Sequence, residues 1–262
     1  MTVLTAAGAP LAAIDDRGTR VMGVAVHAGH ELRPSLKPFV ALSDSARRRE
    51  EDPFTAEMLP DGITTIEVVR SRFEVDLNRP RSRCVYGGPE DAWGLDVWAS
   101  PLTAEEDRVS REVYDAFYSA LELVLIDAVA RNGRCIVLDV HSYNHRREGA
   151  DAPPADPATN PEINLGTRWL DMERWSPVSA AFTEALRCAG FDVGENVKFG
   201  GGHLAHWVSE RFGADVCALA IEFKKTYMDE WTGTVDESAV HRIKVALTSA
   251  VGPLASAADD IT

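Results

Sequence analysis

The chain has 262 residues, 45% hydrophobic and 26% charged, and its 41 acidic against 27 basic side chains give a formal charge of −14. That length supports a sizeable core in a single domain over 1–262, and no apolar run approaches the roughly 20 residues of a membrane span. The acidic balance argues against a phosphate-binding surface, which needs clustered Lys and Arg, so neither nucleic acid nor membrane is an expected partner.

In chain order, the first fifteen residues lack a basic n-region and an apolar h-region, so they read as a frayed start rather than a secretory signal. Val21–Val26 is a buried strand running into His27-Ala-Gly-His30-Glu31. Arg47-Arg48-Arg49 followed by Glu50-Glu51-Asp52 reads as a solvated helix end. Further apolar runs at 63–69, 134–140 and 216–223 are rich in Val and Ile without a helical period, and Phe73–Arg79 also reads as a strand. Helical periodicity covers Ala104–Ala130, Val178–Ala189, Leu204–Arg211 and Glu237–Val251. Strands alternating with helices imply a layered α/β fold. Residues 146–167 are rich in proline and aperiodic, and are expected to form an active-site loop. Phe199-Gly-Gly-Gly202 is a second break, without the spacing of a nucleotide-binding loop. Cys84, Cys135, Cys188 and Cys217 show no CxxC spacing and fit a reducing cytoplasm.

Polar groups end several of these runs. Ligands of open α/β sheets gather at the carboxyl ends of strands, so such ends converge on one cleft. A lone histidine is more often structural than a ligand, and His145, His206 and His241 keep that reading. His27 and His141 differ because each ends a buried strand beside further polar groups. Asp139, two residues before His141, shares its face and would fix the imidazole tautomer; its alternatives are a pair with Arg79 or a cap. A catalytic zinc needs about three protein ligands and an open position. Glu31 is the expected third, with His30 and Asp52 as alternatives. Glu222 interrupts Ala218-Leu-Ala-Ile-Glu-Phe, where burial would raise its pKa toward that of a general base; otherwise it pairs with Lys224 or Lys225. Arg79, with Asn78 beside it, suits bidentate binding of a substrate carboxylate, Arg70 and Arg72 are candidates for a second carboxylate, and Arg81 and Arg83 read as surface charges. Tyr227 is either a substrate-side hydroxyl or packed.

His141-Ser-Tyr-Asn, Val75-Asp-Leu-Asn-Arg79 and Ile221-Glu222 resemble, in the same chain order, motifs of zinc carboxypeptidases. The broader resemblance is to N-formylglutamate amidohydrolases. It adds the His-small-Gly motif at His27, a Glu-Asp pair before a short helix at Glu51-Asp52, Asp-x-His-Ser at Asp139, and Asn196-Val-Lys-Phe-Gly-Gly-Gly. This resemblance spans roughly 21–232. It implies a three-layer α/β/α fold with a central mixed, largely parallel sheet, and zinc-dependent hydrolysis of N-formyl-L-glutamate or a similar small anionic N-acyl amino acid. In that reading zinc is held by His27, His141 and a third ligand, Glu222 is the base, and Asn78 and Arg79 bind substrate. The motif at His27 departs from the His-x-x-Glu of the carboxypeptidases, since that spacing lands on His30. The rival activities are a carboxypeptidase or acylamino-acid deacylase, and a non-catalytic small-acid or metal-binding protein.

Overall fold

The computed structural model describes residues 1–261. Eight strands form one mixed sheet: β1 (Thr2–Ala6), β2 (Ala9–Asp15), β3 (Val21–Ala25), β4 (Thr64–Val68), β5 (Cys135–Tyr143), β6 (Ile163–Gly166), β7 (Val193–Glu195) and β8 (Val216–Lys224). Their order is β1-β2-β4-β3-β5-β8-β6-β7. The central pairs β4·β3, β3·β5 and β5·β8 are parallel, as is β6·β7, whereas β1·β2, β2·β4 and β6·β8 are antiparallel.

Alternation along the strands builds two cores, because successive side chains of a strand point to opposite faces. Ile136, Leu138 and Val140 of β5, with Cys217, Leu219 and Ile221 of β8, pack against α3 (Met172–Cys188) and α5 (Glu237–Asp259). Cys135, Val137, Val216 and Ala218 face α2 (Ala104–Asn132) and α4 (His203–Phe212). Helices on both faces of one sheet make the three-layer α/β/α arrangement. No helix among the described residues is long and apolar enough to cross a membrane.

Four expectations are corrected. The first fifteen residues are not frayed: β1 and β2 form a hairpin through Ala7 and Gly8, both at positive φ, as hairpin turns require. Phe73–Arg79 is a run of turns instead of a strand, with Glu74 N–H bonded to Ser71 O (2.9 Å) and Asp76 N–H to Cys84 O (2.7 Å). The acidic end of 47–52 is not solvated: it closes α1 (Asp44–Glu50), and Arg47, Glu50, Glu51 and Asp52 are all buried. The loop after β5 stops at residue 162, because residues 163–166 pair with β8.

Candidate active site

The site lies where the parallel strands β3, β5 and β8 end. His141 and Glu222 are cross-strand partners in register. Asp139, His141 and Glu222 continue the parity of the strand residues that face α2 and α4, so all three side chains emerge on one side of the sheet. His27 follows β3 by two residues, and its carbonyl accepts the Asp52 N–H at 2.9 Å, which fastens the loop after α1 to the end of β3.

His27, Asp52 and His141 are buried, and one ligand atom from each lies within 4.8 Å of the others. Asp52 Oδ2 is 3.1 Å from His141 Nδ1 and 3.3 Å from His27 Nδ1. His27 Nδ1 has no hydrogen-bond partner although it is buried, which is costly for a polar atom. Two imidazole nitrogens and a carboxylate oxygen around such an orphan fit a catalytic divalent cation, zinc above all, which takes three protein ligands of these types. The far nitrogens are held as metal-binding histidines usually are: His27 Nε2 donates to Asp76 Oδ1 (2.8 Å), and His141 Nε2 to Asp139 Oδ1 (2.9 Å). Burial opposes ionisation of Asp52, but the two imidazoles outweigh it and hold its carboxyl below the usual range. For His141, burial is outweighed by Asp139 and Asp52, and its pKa is raised.

Asp76 is the most heavily bonded carboxylate of the site. Besides His27 it accepts from the Asn78 N–H (2.9 Å), Arg72 Nη2 (2.9 Å) and the Tyr86 hydroxyl (2.6 Å). Asn78 Oδ1 accepts from the Leu204 N–H at 2.9 Å and so caps α4, whose own N-cap is Gly202. A Cβ on Gly202 would sit 2.2 Å from Asn78 Nδ2, so glycine is needed for that approach. With its oxygen committed, the Asn78 amide turns its NH2 toward the cavity, 3.2 Å from His141 Nε2.

A cavity of about 160 Å³ opens over these groups, and Arg79, Arg147, Trp93, Phe199 and Glu222 also line it. Loss of water raises the Glu222 carboxyl to about 8. Neither lysine of the alternative reading pairs with it: Lys224 donates to Asn160 O, and Lys225 to Arg49 O and Glu51 O. Arg79 lies over the Tyr86 ring at 4.5 Å and bonds Asp91 through both terminal nitrogens. Arg147, in the first turn of the proline-rich loop, reaches the cavity wall, where it pairs with Glu50 at 3.0 Å.

The structure does not bring Glu31 to this site. Gly29 packs so closely on the backbone of Val69 that the chain is carried away from His27, and Glu31 is exposed beside a different cavity with Lys37 and Arg47. His30 is likewise engaged elsewhere, with Glu51 at 2.6 Å. The third group at the centre is Asp52. Sequence reasoning missed Tyr86; it named Arg72 as a binder of a second carboxylate and Lys225 as a partner of Glu222, whereas Arg72 bonds Asp76 and Lys225 bonds the carbonyls of Arg49 and Glu51. Asp52 did carry a signal: Glu50-Glu51-Asp52-Pro53 is acidic residues ended by a proline that stops the helix, and the Glu-Asp pair follows the short helix α1 instead of preceding one.

Residues 20–228 match the family model of N-formylglutamate amidohydrolase. Among solved structures, N-formylglutamate amidohydrolase from Ralstonia eutropha JMP134 is similar, with a TM-score of 0.73 and 18% identity, covering 94% of this chain and 97% of its own. A gene product from Agrobacterium tumefaciens has a TM-score of 0.62 and 16% identity, covering 91% and 95%. A metallo-carboxypeptidase from Burkholderia cenocepacia has a TM-score of 0.41 and 16% identity, covering 98% and 64%. A comparison with curated proteins finds no match.

Proposed function

Because this chain belongs to the N-formylglutamate amidohydrolase family, and is therefore an amidohydrolase, we propose that it uses zinc to hydrolyse the amide of N-formyl-L-glutamate, or a similar N-acyl amino acid, giving formate and L-glutamate from the former. The observation that carries this reading is the buried His27–Asp52–His141 group, with the orphaned His27 Nδ1, in one cavity with Glu222. Held by these three residues, zinc would supply a Lewis acid that lowers the pKa of water to roughly 7 and polarises the scissile carbonyl.

The chain's own groups do the rest. Glu222, whose carboxyl is raised by burial to about 8, takes the proton of the attacking water and delivers it to the leaving nitrogen. Arg79 and the Asn78 amide hold a substrate carboxylate. Arg79 leaves Asp91 to do so, and Asp91 retains Arg83 at 2.7 Å and the Gly87 N–H at 3.1 Å. The lining carboxylates Glu50, Asp52, Asp76 and Glu222 balance Arg72, Arg79, Arg147 and Lys225 in number, so a divalent cation leaves the site positive even with Asp139 behind it. A small anionic substrate is the complement of such a site. Four free cysteines, three of them buried, support a reducing cytoplasm as its compartment.

Trp93, 45% exposed at the cavity mouth, and Phe199 favour as a second reading a deacylase that accepts an acyl group larger than formyl. Incubation with N-formyl-Glu, N-acetyl-Asp and a short peptide in parallel, before and after chelation and zinc repletion, separates these activities. Zinc-dependent formate release is expected; activity on the peptide alone would remove the assignment. Glu222→Gln is expected to lower turnover by about 10²–10⁴-fold while one zinc is retained.

A further inference from the structure

Asp52 differs from the two histidines in standing on a loop instead of at the end of a parallel strand. A ligand on a loop needs other means to be held in place, because positioning errors well under an ångström matter at a metal. The means are visible on the backbone around it. The carbonyls of Arg49, Glu51 and Pro53 are all taken by two side chains from one tripeptide that turns out of β8. Lys225 Nζ donates to Arg49 O and Glu51 O, each at 2.6 Å, and Tyr227 Oη donates to Pro53 O at 2.9 Å. Both residues are 1% exposed. Among the described residues Lys225 forms no salt bridge, although a fully buried ammonium ordinarily pairs with an acid. Its burial lowers its pKa to about 8. A lysine retained there with only carbonyl partners is explained by the segment it grips.

We propose that Lys225 and Tyr227 are positioning residues for the metal ligand Asp52, clamping the loop on both of its flanks. They follow Glu222 by three and five residues, so the strand that carries the base also sets the third ligand against His27 and His141. The clamp acts through the backbone of 49–53, whose carbonyls take the Lys225 ammonium and the Tyr227 hydroxyl.

The proposal rests on the reading of His27, Asp52 and His141 as a zinc centre. The test measures zinc affinity by competition with a chromophoric chelator, and the visible spectrum of the cobalt-substituted protein, in the unaltered chain, Tyr227→Phe and Lys225→Met. Zinc binding is expected to weaken about 10-fold in Tyr227→Phe and up to about 100-fold in Lys225→Met, the range seen when groups supporting a ligand are lost. The cobalt spectrum should change in both. A merely structural role would lower thermal stability and leave affinity and spectrum alone. Tyr227→Phe keeps the buried ring and decides the matter if Lys225→Met does not fold. Unaltered affinity and spectrum in the variants would overturn the clamp alone, whereas failure of the unaltered chain to bind one zinc would overturn both the clamp and the metal centre.

Discussion

Behind His27, the Asp76 carboxylate accepts from an imidazole, a backbone N–H, a guanidinium and a phenol. Behind His141, Asp139 accepts from the imidazole through Oδ1, and its Oδ2 is buried with no partner. On the side that faces Asp52 the two arms match, each presenting Nδ1 to its carboxylate. Their supports do not match. Arg72, which bonds Asp76, also donates to Glu50 O at 3.2 Å, so the His27 arm is braced against the loop that carries Asp52. Asp76 thus ties His27 into the surrounding fold, and Asp139 serves chiefly the orientation of one ring.

This contrast can be broken first at the ligands. His27→Ala and His141→Ala should each abolish stoichiometric zinc binding, measured as metal content after dialysis; retention in either would remove that arm from the centre. The supports should then separate. Asp76→Asn leaves buried Arg72 without its carboxylate and should cost about 3 kcal/mol in urea unfolding, with zinc affinity falling 10- to 100-fold. Asp139→Asn should weaken zinc by a similar factor but shift stability by only about 1 kcal/mol, since it breaks no ion pair with arginine. Equal stability losses would mean that the unpartnered Asp139 oxygen has a role in the fold. Tyr86→Phe, which removes one of the donors to Asp76 but no group bonded to an imidazole, should cost about 1.5 kcal/mol in the same unfolding measurement.

The parts of the site on the parallel strands were legible in the sequence. β3, β5 and β8 are apolar runs with no helical period, and a polar residue at the end of such a run has few places to point except the cleft; His27, His141 and Glu222 follow from that. Asp52 was legible only as an alternative to Glu31, because sequence spacing from His27 measures nothing once the chain leaves the sheet and returns through α1. Tyr86 and the pairing of Arg72 with Asp76 were hidden for a similar reason: Phe73–Arg79 carries strand-like residues, but Glu74 and Asp76 bury their carboxylates on arginines, and the backbone coils around those pairs. The hairpin of β1 and β2 is rich in alanine and offered only Ala7-Gly8 as a signal.

The cross-strand pairing of His141 with Glu222 has a consequence for how selectivity can change. Neighbouring strands are about 4.8 Å apart, a distance set by main-chain hydrogen bonds whatever the side chains are. The interval between His141 and Glu222 is therefore a property of the sheet. Trp93, Arg147 and Phe199, by contrast, stand on connections between elements. Those connections can be remodelled to admit another substrate while His141 and Glu222 keep their spacing, so the polar groups of the cleft and the choice of substrate are separable inheritances within this one chain.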